Sequence, residues 1–301
     1  MLAFTRAPRR SDRRKDAYDN ANFPGWSDVR RQHLLKRAPR FQPESPVNVS
    51  EIPYGYTRVV PVDKGVRLRL PDPGDAPRFC HTLSAVPISS AEFPVAMRDY
   101  PIVFIRRTNE AGFTSMVILG MREGQNLFVM GDGKWDRRTY MPAYVRRYPF
   151  CLVAAEEASG HERLVCVDPD AIDDSQGRPM FDETGEPLPH WEMIQRMLHE
   201  FEDDLSLSRD MCDHFARLNL LEPFTLRADL VGGFSLAMEN LYRVNRQQLA
   251  ELDHGDLRDL VLRGYLDHIY AHLFSQDNFQ RLLNRRSFFA AEPPTDPKKY
   301  N

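Results

Sequence analysis

The chain has 301 residues, 42% hydrophobic and 28% charged, with a formal net charge of −3. That balance suits a folded globular protein of one or two domains with a sizeable core. It gives no global electrostatic reason to bind nucleic acid, and no apolar run is long enough to span a bilayer. The opening MLAFTRAPRRSDRRKD lacks the apolar region of a secretory signal, so the sequence reads as cytoplasmic, with a signal-less export route left open.

Residues 1–47 stand apart. Arg9-Arg10, Arg13-Arg14-Lys15, Arg30-Arg31 and Lys36-Arg37 make them basic, and apolar periodicity is poor. They read as a disordered arm with a short helix near Ser27 to Leu35. The folded domain is expected over residues 48–286. Its first strands are Tyr56 to Val60 and Val66 to Leu70, the second alternating with Val66, Leu68 and Leu70 on one face. Asp72-Pro73-Gly74-Asp75 is a turn. Leu83 to Ile88 is a strand, and Ser90 caps a helical turn reaching Met97. Ile102 to Arg106, Ser115 to Met121 and Leu127 to Met130 follow at short spacing, which argues an antiparallel meander. Phe150 to Ala155 and Leu164 to Val167 extend it, and Asp168-Pro169 ends it.

The most distinctive text is Asn126 to Phe150, NLFVMGDGKWDRRTYMPAYVRRYPF. Asp132-Gly133 between apolar runs is a hairpin signal. Tyr140 to Phe150 reads as a central strand. Alternation would send Arg146 and Arg147 to opposite faces, and the inner guanidinium would need a carboxylate partner. Trp135, Tyr140 and Tyr144 are expected at an exposed groove. With Arg146 and Arg147 they form the candidate binding set, because Tyr, Trp and Arg dominate interaction hot spots.

The second half opens with turns at Asp174 to Gly177 and Asp182 to Gly185, around a small hairpin with Met180-Phe181. Trp191, Ile194, Leu198, Phe201 and Leu205 then form a helical stripe. Ser208 is read as the cap of a second helix running to Leu221. Phe224, Leu226, Ala228 and Leu230 alternate as a strand, and Gly232-Gly233 turns the chain into Phe234, Leu236 and Met238. Asn245 with Gln248 resembles a capping box. Asp256 is expected to cap a helix reaching about Ser275, and Asp277 a last helix through Leu283. Residues 287–301 read as a disordered tail, Pro-rich from Glu292 to Pro297. The fold class is α+β: an antiparallel β-sheet from the N-terminal half, packed by helices from the C-terminal half.

Reactive chemistry is sparse. His268 and His272 share a helix face, as two metal ligands would, but no H-E-x-x-H motif surrounds them. Cys80-His81 are adjacent, which is not nucleophile–base geometry. Asp168, Asp170, Asp173 and Asp174 do not match a calcium loop. Cys80, Cys151, Cys166 and Cys212 lack metal-site spacing and read as buried reduced thiols. No cofactor or metal is expected.

Several stretches carry a family resemblance: Tyr100-Pro101-Ile102-Val103-Phe104, Asn126-Leu127-Phe128, Gly133-Lys134-Trp135 and Tyr140 to Phe150. His81, Val86-Pro87-Ile88, Glu92-Phe93, Gly185-Glu186, Leu220-Leu221 and Ala271-His272 extend it over roughly Val47 to Arg286. The sequence resembles the SapC family, named from gene clusters for bacterial surface layers. The resemblance implies a link to surface-layer (S-layer) systems and supplies no catalytic residues. Together with the binding set it points to a non-catalytic accessory protein whose partner is another bacterial protein or peptide, its oligomeric state open. One alternative is an enzyme without a familiar motif, using His81, His268 or His272. Another is a structural S-layer component.

Overall fold

The computed structural model describes residues 52–108, 111–154, 163–229 and 235–291. The basic arm, the Gly232-Gly233 turn and the Pro-rich end lie outside these residues.

The strands are β1 (Val60–Pro61), β2 (Arg67–Leu68), β3 (Ala85–Pro87), β4 (Ile102–Arg106), β5 (Phe113–Ile118), β6 (Phe150–Ala154), β7 (Arg163–Val167), β8 (Arg178–Pro179), β9 (Leu221–Asp229) and β10 (Ser235–Val244). The helices are α1 (Phe93–Ala96), α2 (Ala143–Arg146), α3 (Pro189–Arg217), α4 (Arg246–Ala250), α5 (His254–Leu262), α6 (Tyr265–Ser275) and α7 (Asn278–Ala291). The architecture is α+β with antiparallel pairing, divided among sheets. Five strands run in the order β3-β5-β4-β10-β9, three in the order β1-β7-β6, and β2 pairs with β8. The second half therefore supplies two strands of the main sheet as well as helices.

Helix α3 joins the two larger sheets. Its 29 residues span about 43 Å at 1.5 Å per residue. Trp191 and Leu198 pack with Phe150, Leu152 and Val167 of the small sheet. Phe201, Leu205, Met211 and Phe215 pack into the main core with Val103, Phe104 and Val117. The stripe read from sequence thus continues through Ser208, which is a buried mid-helix residue and not a cap. Its hydroxyl donates to the Asp204 carbonyl and accepts from the Ser90 N–H, both at 2.6 Å. Both hydroxyl roles are satisfied, which removes the usual helix-breaking competition of serine.

Other boundaries also differ from the sequence reading: Leu127 to Met130 holds only the isolated bridge of Val129 to Trp135, and the strand expected from Tyr56 is reduced to Val60–Pro61. The turn after β3 is capped by Ser89, which forms a capping box with Glu92. The helix expected from Asp256 to Ser275 is two helices, because Gly264 adopts φ +71° between them, and Asp253 caps the first. Asn245 caps α4 through Gln247 and Gln248 N–H groups, while the Gln248 amide turns to Glu251, so the box is not reciprocal. Helix α7 runs to Ala291, past Leu283; no proline intervenes before Pro293.

The largest departure is Tyr140 to Phe150. It is not a central strand. Pro142 is the N-cap of the single-turn helix α2, the Tyr148–Pro149 peptide is cis, and extended structure begins only at Phe150. The physical reason is distant in sequence. The buried Glu92 carboxylate accepts the Ala143 N–H at 2.8 Å and so places a negative charge at the start of α2.

His272 shows how the main sheet is closed. Strands β4 and β10 pair directly at Tyr242 and Phe104. Two residues on, where Ile102 faces Val244, the buried His272 ring stands in the ladder. Its Nε2 accepts the Val244 N–H at 3.1 Å, which requires the tautomer whose Nδ1–H donates to the Ile102 carbonyl at 2.9 Å. Burial pushes its pKa down to about 3, so it stays neutral.

Candidate functional site

Trp135, Arg146 and Arg147 come together at a cleft of ≈ 510 Å³. Four segments contribute to its lining: the Pro-rich loop Leu70–Asp75 with Pro77, the stretch around Trp135 to Arg137, the α2 end Val145 to Tyr148, and Ile194 with Met197 from α3.

The loop is held by the hairpin read at Asp132-Gly133. Gly133 takes φ +76° and its N–H returns to the Met130 carbonyl at 2.9 Å, while Val129 bridges Trp135. Across this turn the Ala76 N–H donates to the Gly133 carbonyl at 3.1 Å and the Trp135 N–H to the Gly74 carbonyl at 2.9 Å. The residues from Asp72 to Ala76 are therefore fixed against a second loop.

The aromatics expected to form an exposed groove lie behind the cleft surface. Trp135 is 2% exposed, and its indole N–H, 3.2 Å from both the Tyr100 hydroxyl and the Tyr140 carbonyl, is satisfied internally. Tyr144 is 3% exposed and its hydroxyl donates to the Tyr54 carbonyl at 2.7 Å. Tyr140 is half-buried. Its N–H donates to Asp99 at 2.8 Å, its hydroxyl to Glu92 at 2.9 Å, and its carbonyl also accepts from Tyr100. Burial, with the nearby Glu92 carboxylate, raises the Tyr140 pKa above the usual phenol range. The rings were readable as important from composition. Their burial goes with these hydrogen bonds, most of which cross 35 to 90 residues of sequence.

The two arginines diverge as expected, for a different reason. Successive helical residues are about 100° apart, so the end of α2 separates them without strand alternation. Arg146 is exposed; its Nε donates to the Met141 carbonyl at 3.0 Å and its Nη2 to the Tyr140 hydroxyl at 2.9 Å. Arg147 is 3% exposed, with Nη1 2.8 Å from Glu202 and its guanidinium 4.2 Å from the Tyr144 ring centroid and 5.3 Å from that of Phe201. Burial opposes its charge, but the Tyr144 and Tyr56 hydroxyls and Glu202 outweigh that and raise its pKa. Its Nε is buried without a hydrogen-bond partner among the described residues.

The cleft residues missed by sequence reading are Arg137, Met197 and the proline loop. Met193 and Met197 sit four apart, off the core stripe of α3, and are exposed; methionines on a face otherwise polar were the available signal. The proline loop read only as a turn.

The weak catalytic candidates lie away from the cleft lining. His81 contacts the Ala76 carbonyl at 2.8 Å and His268 the Gly264 carbonyl at 2.8 Å, while His272 bridges the main sheet. Among the described residues no three His, Cys, Asp or Glu side chains gather as metal ligands. Cys80 is buried, and burial pushes its thiol up to about 12, away from nucleophilic use. Cys151 and Cys166, scattered in sequence, are opposite one another across β6 and β7, both buried and free. Asp168 and Asp173 close local turns by accepting backbone N–H groups.

The SapC family model matches residues 68–282, well over half of the chain and every residue lining the cleft. The chain belongs to the SapC family. No curated protein and no solved structure matches it. In this SapC protein, Glu92, Tyr100, Trp135 and Tyr140, which carried the resemblance, form the hydrogen-bonded support behind the cleft. No helix among the described residues is long and apolar enough to cross a membrane.

Proposed function

We propose that this SapC protein is a non-catalytic binding protein that receives a segment of another bacterial protein in the cleft, as an accessory to surface-layer systems. The observation that supports this reading is the cleft itself. Its volume lies in the range of ligand sites, ≈ 510 Å³. Its lining combines apolar side chains from Leu70, Val145, Ile194 and Met197 with guanidiniums, and two rigid loops and a helix position it. Binding sites need that combination of apolar area and few placed polar groups. The surface-layer connection rests on the name of the family, and a cytoplasmic location on the sequence reading.

The test is capture of the native protein with identification of co-purifying chains, repeated with two variants. Met197→Arg places charge in the cleft at a side chain already 41% exposed; Leu262→Arg places charge outside the cleft lining, at a 71% exposed position on α5. The reading expects a partner held by wild type and by the Leu262 variant and lost by the Met197 variant. Retention by the Met197 variant would overturn it.

A further inference from the structure

The charges around the cleft are unevenly matched. Arg137, Arg146 and Arg147 line it together with Asp72, Asp75 and Asp136. Asp136 is buried and paired with Arg285, with Arg138 3.5 Å away. Asp75 faces Lys134 at 3.9 Å, and Arg147 is matched by Glu202. What remains is Asp72 against two exposed arginines. Arg146 donates only to neutral oxygens, two of its five donors used, and Arg137 makes no hydrogen bond or ion pair among the described residues. Two guanidiniums thus stand beside apolar surface with one carboxylate, Asp72, in the same lining and no ion pair among the described residues.

The proline loop adds a second property. The carbonyls of Leu70, Pro71 and Pro73 accept no hydrogen bond among the described residues, and the prolines have no N–H to offer. Three unused carbonyls thus stand in the strip beside two unused N–H groups, those of Leu70 and Gly74, among the described residues. An extended peptide backbone brings N–H donors to such a strip, whereas an acyl chain brings none.

We propose that the segment the cleft takes is an extended acidic peptide, with apolar side chains against Ile194, Met197 and Val145 and carboxylates held by Arg137 and Arg146. This rests on the cleft reading above and narrows it to one ligand chemistry. Guanidinium–carboxylate pairs supply the selectivity, since a lysine-bearing segment would meet like charge.

Three amidated octapeptides test this by fluorescence anisotropy with the full chain: alternating leucine–glutamate, leucine–glutamine and leucine–lysine. The glutamate peptide is expected to bind at least about tenfold tighter than the lysine peptide, a difference of ~1.4 kcal/mol. The preference should shrink in high salt. The Arg137→Gln, Arg146→Gln double variant, altered only at exposed side chains, should fold normally and lose the preference. Equal binding of all three peptides, abolished by Met197→Arg, would overturn the acidic assignment and leave the cleft reading standing. Failure of all three to bind would overturn both. So would arginine-dependent binding to phosphatidylglycerol vesicles without peptide binding. Glutamate preference unchanged in the double variant would overturn the assignment of these arginines.

Discussion

Replacing Arg147 by alanine should be the most damaging single change at the cleft, and the structure sets its size. The guanidinium is 3% exposed and 2.8 Å from Glu202, itself 14% exposed. Removing one partner of a buried ion pair costs about 3–5 kcal/mol, chiefly because the other charge is left uncompensated. Two details adjust that range. Arg163 remains 3.4 Å from Glu202 and offers partial relief. Against this, the variant also loses the contact with the Tyr144 ring at 4.2 Å, worth up to about 2 kcal/mol when desolvated. Arg147→Ala should therefore cost about 3–5 kcal/mol, read as a lowered denaturant midpoint at unchanged slope. Arg146→Ala, at an exposed side chain bonded to two neutral oxygens, should cost under about 1 kcal/mol. A double-mutant cycle with Glu202→Gln should recover a coupling of about 1–3 kcal/mol. Effects of Arg147→Ala and Arg146→Ala that agree within about 1 kcal/mol would refute the buried-pair argument.

Other outcomes follow from the same geometry. His272 is neutral in the fold with a pKa near 3 against an ordinary 6.5, so the unfolded chain takes up its proton first. Its contribution is complete above pH 6.5 and falls by up to about 1.4 kcal/mol per pH unit between ~6.5 and ~3. His272→Ala should destabilise the protein at neutral pH by about 2–4 kcal/mol through the orphaned Val244 N–H and flatten the acid limb of the stability curve; an unchanged limb would refute the assignment. Cys151 and Cys166 are buried, with thiols pushed up to about 12 and about 11, so aromatic disulfide reagents at pH 8 should label neither until denaturant is added. Glu92→Ala leaves the donors of Ser89, Tyr140 and Ala143 without their carboxylate and should cost about 3 kcal/mol, with faster amide exchange from Tyr140 to Arg147; unchanged exchange there would refute its role as the anchor of α2.

What could be read from the sequence was local. Strand β4 has the bounds its apolar run suggests, and the α3 stripe from Trp191 to Leu205 is buried at four of its five positions, with Ile194 half-exposed. The Asp132-Gly133 turn was readable because only its own residues decide it. Tyr140 to Phe150 was not. Its aromatic residues and Val145 favour strand, and the group that makes α2 a helix is Glu92, 51 residues from Ala143. Asp256 to Ser275 hid a break because apolar periodicity continues across Gly264. Of the candidate site, the divergence of Arg146 and Arg147 and the acidic partner of the inner one were readable. The proline loop and Met197 were not, because nothing local says that residues 70–75 and 194–197 face one another.

On the proposal above, the cleft and no other surface receives the peptide. Amide hydrogen exchange on the full chain, with and without the leucine–glutamate octapeptide, tests it most directly. Added protection is expected in residues 70–76, 135–139 and 145–148 and in α3 near Met197, with α5 and α6 unchanged. Protection confined to α5 and α6, where Leu262 and Phe274 present two of the three most exposed large apolar side chains among the described residues, would contradict it.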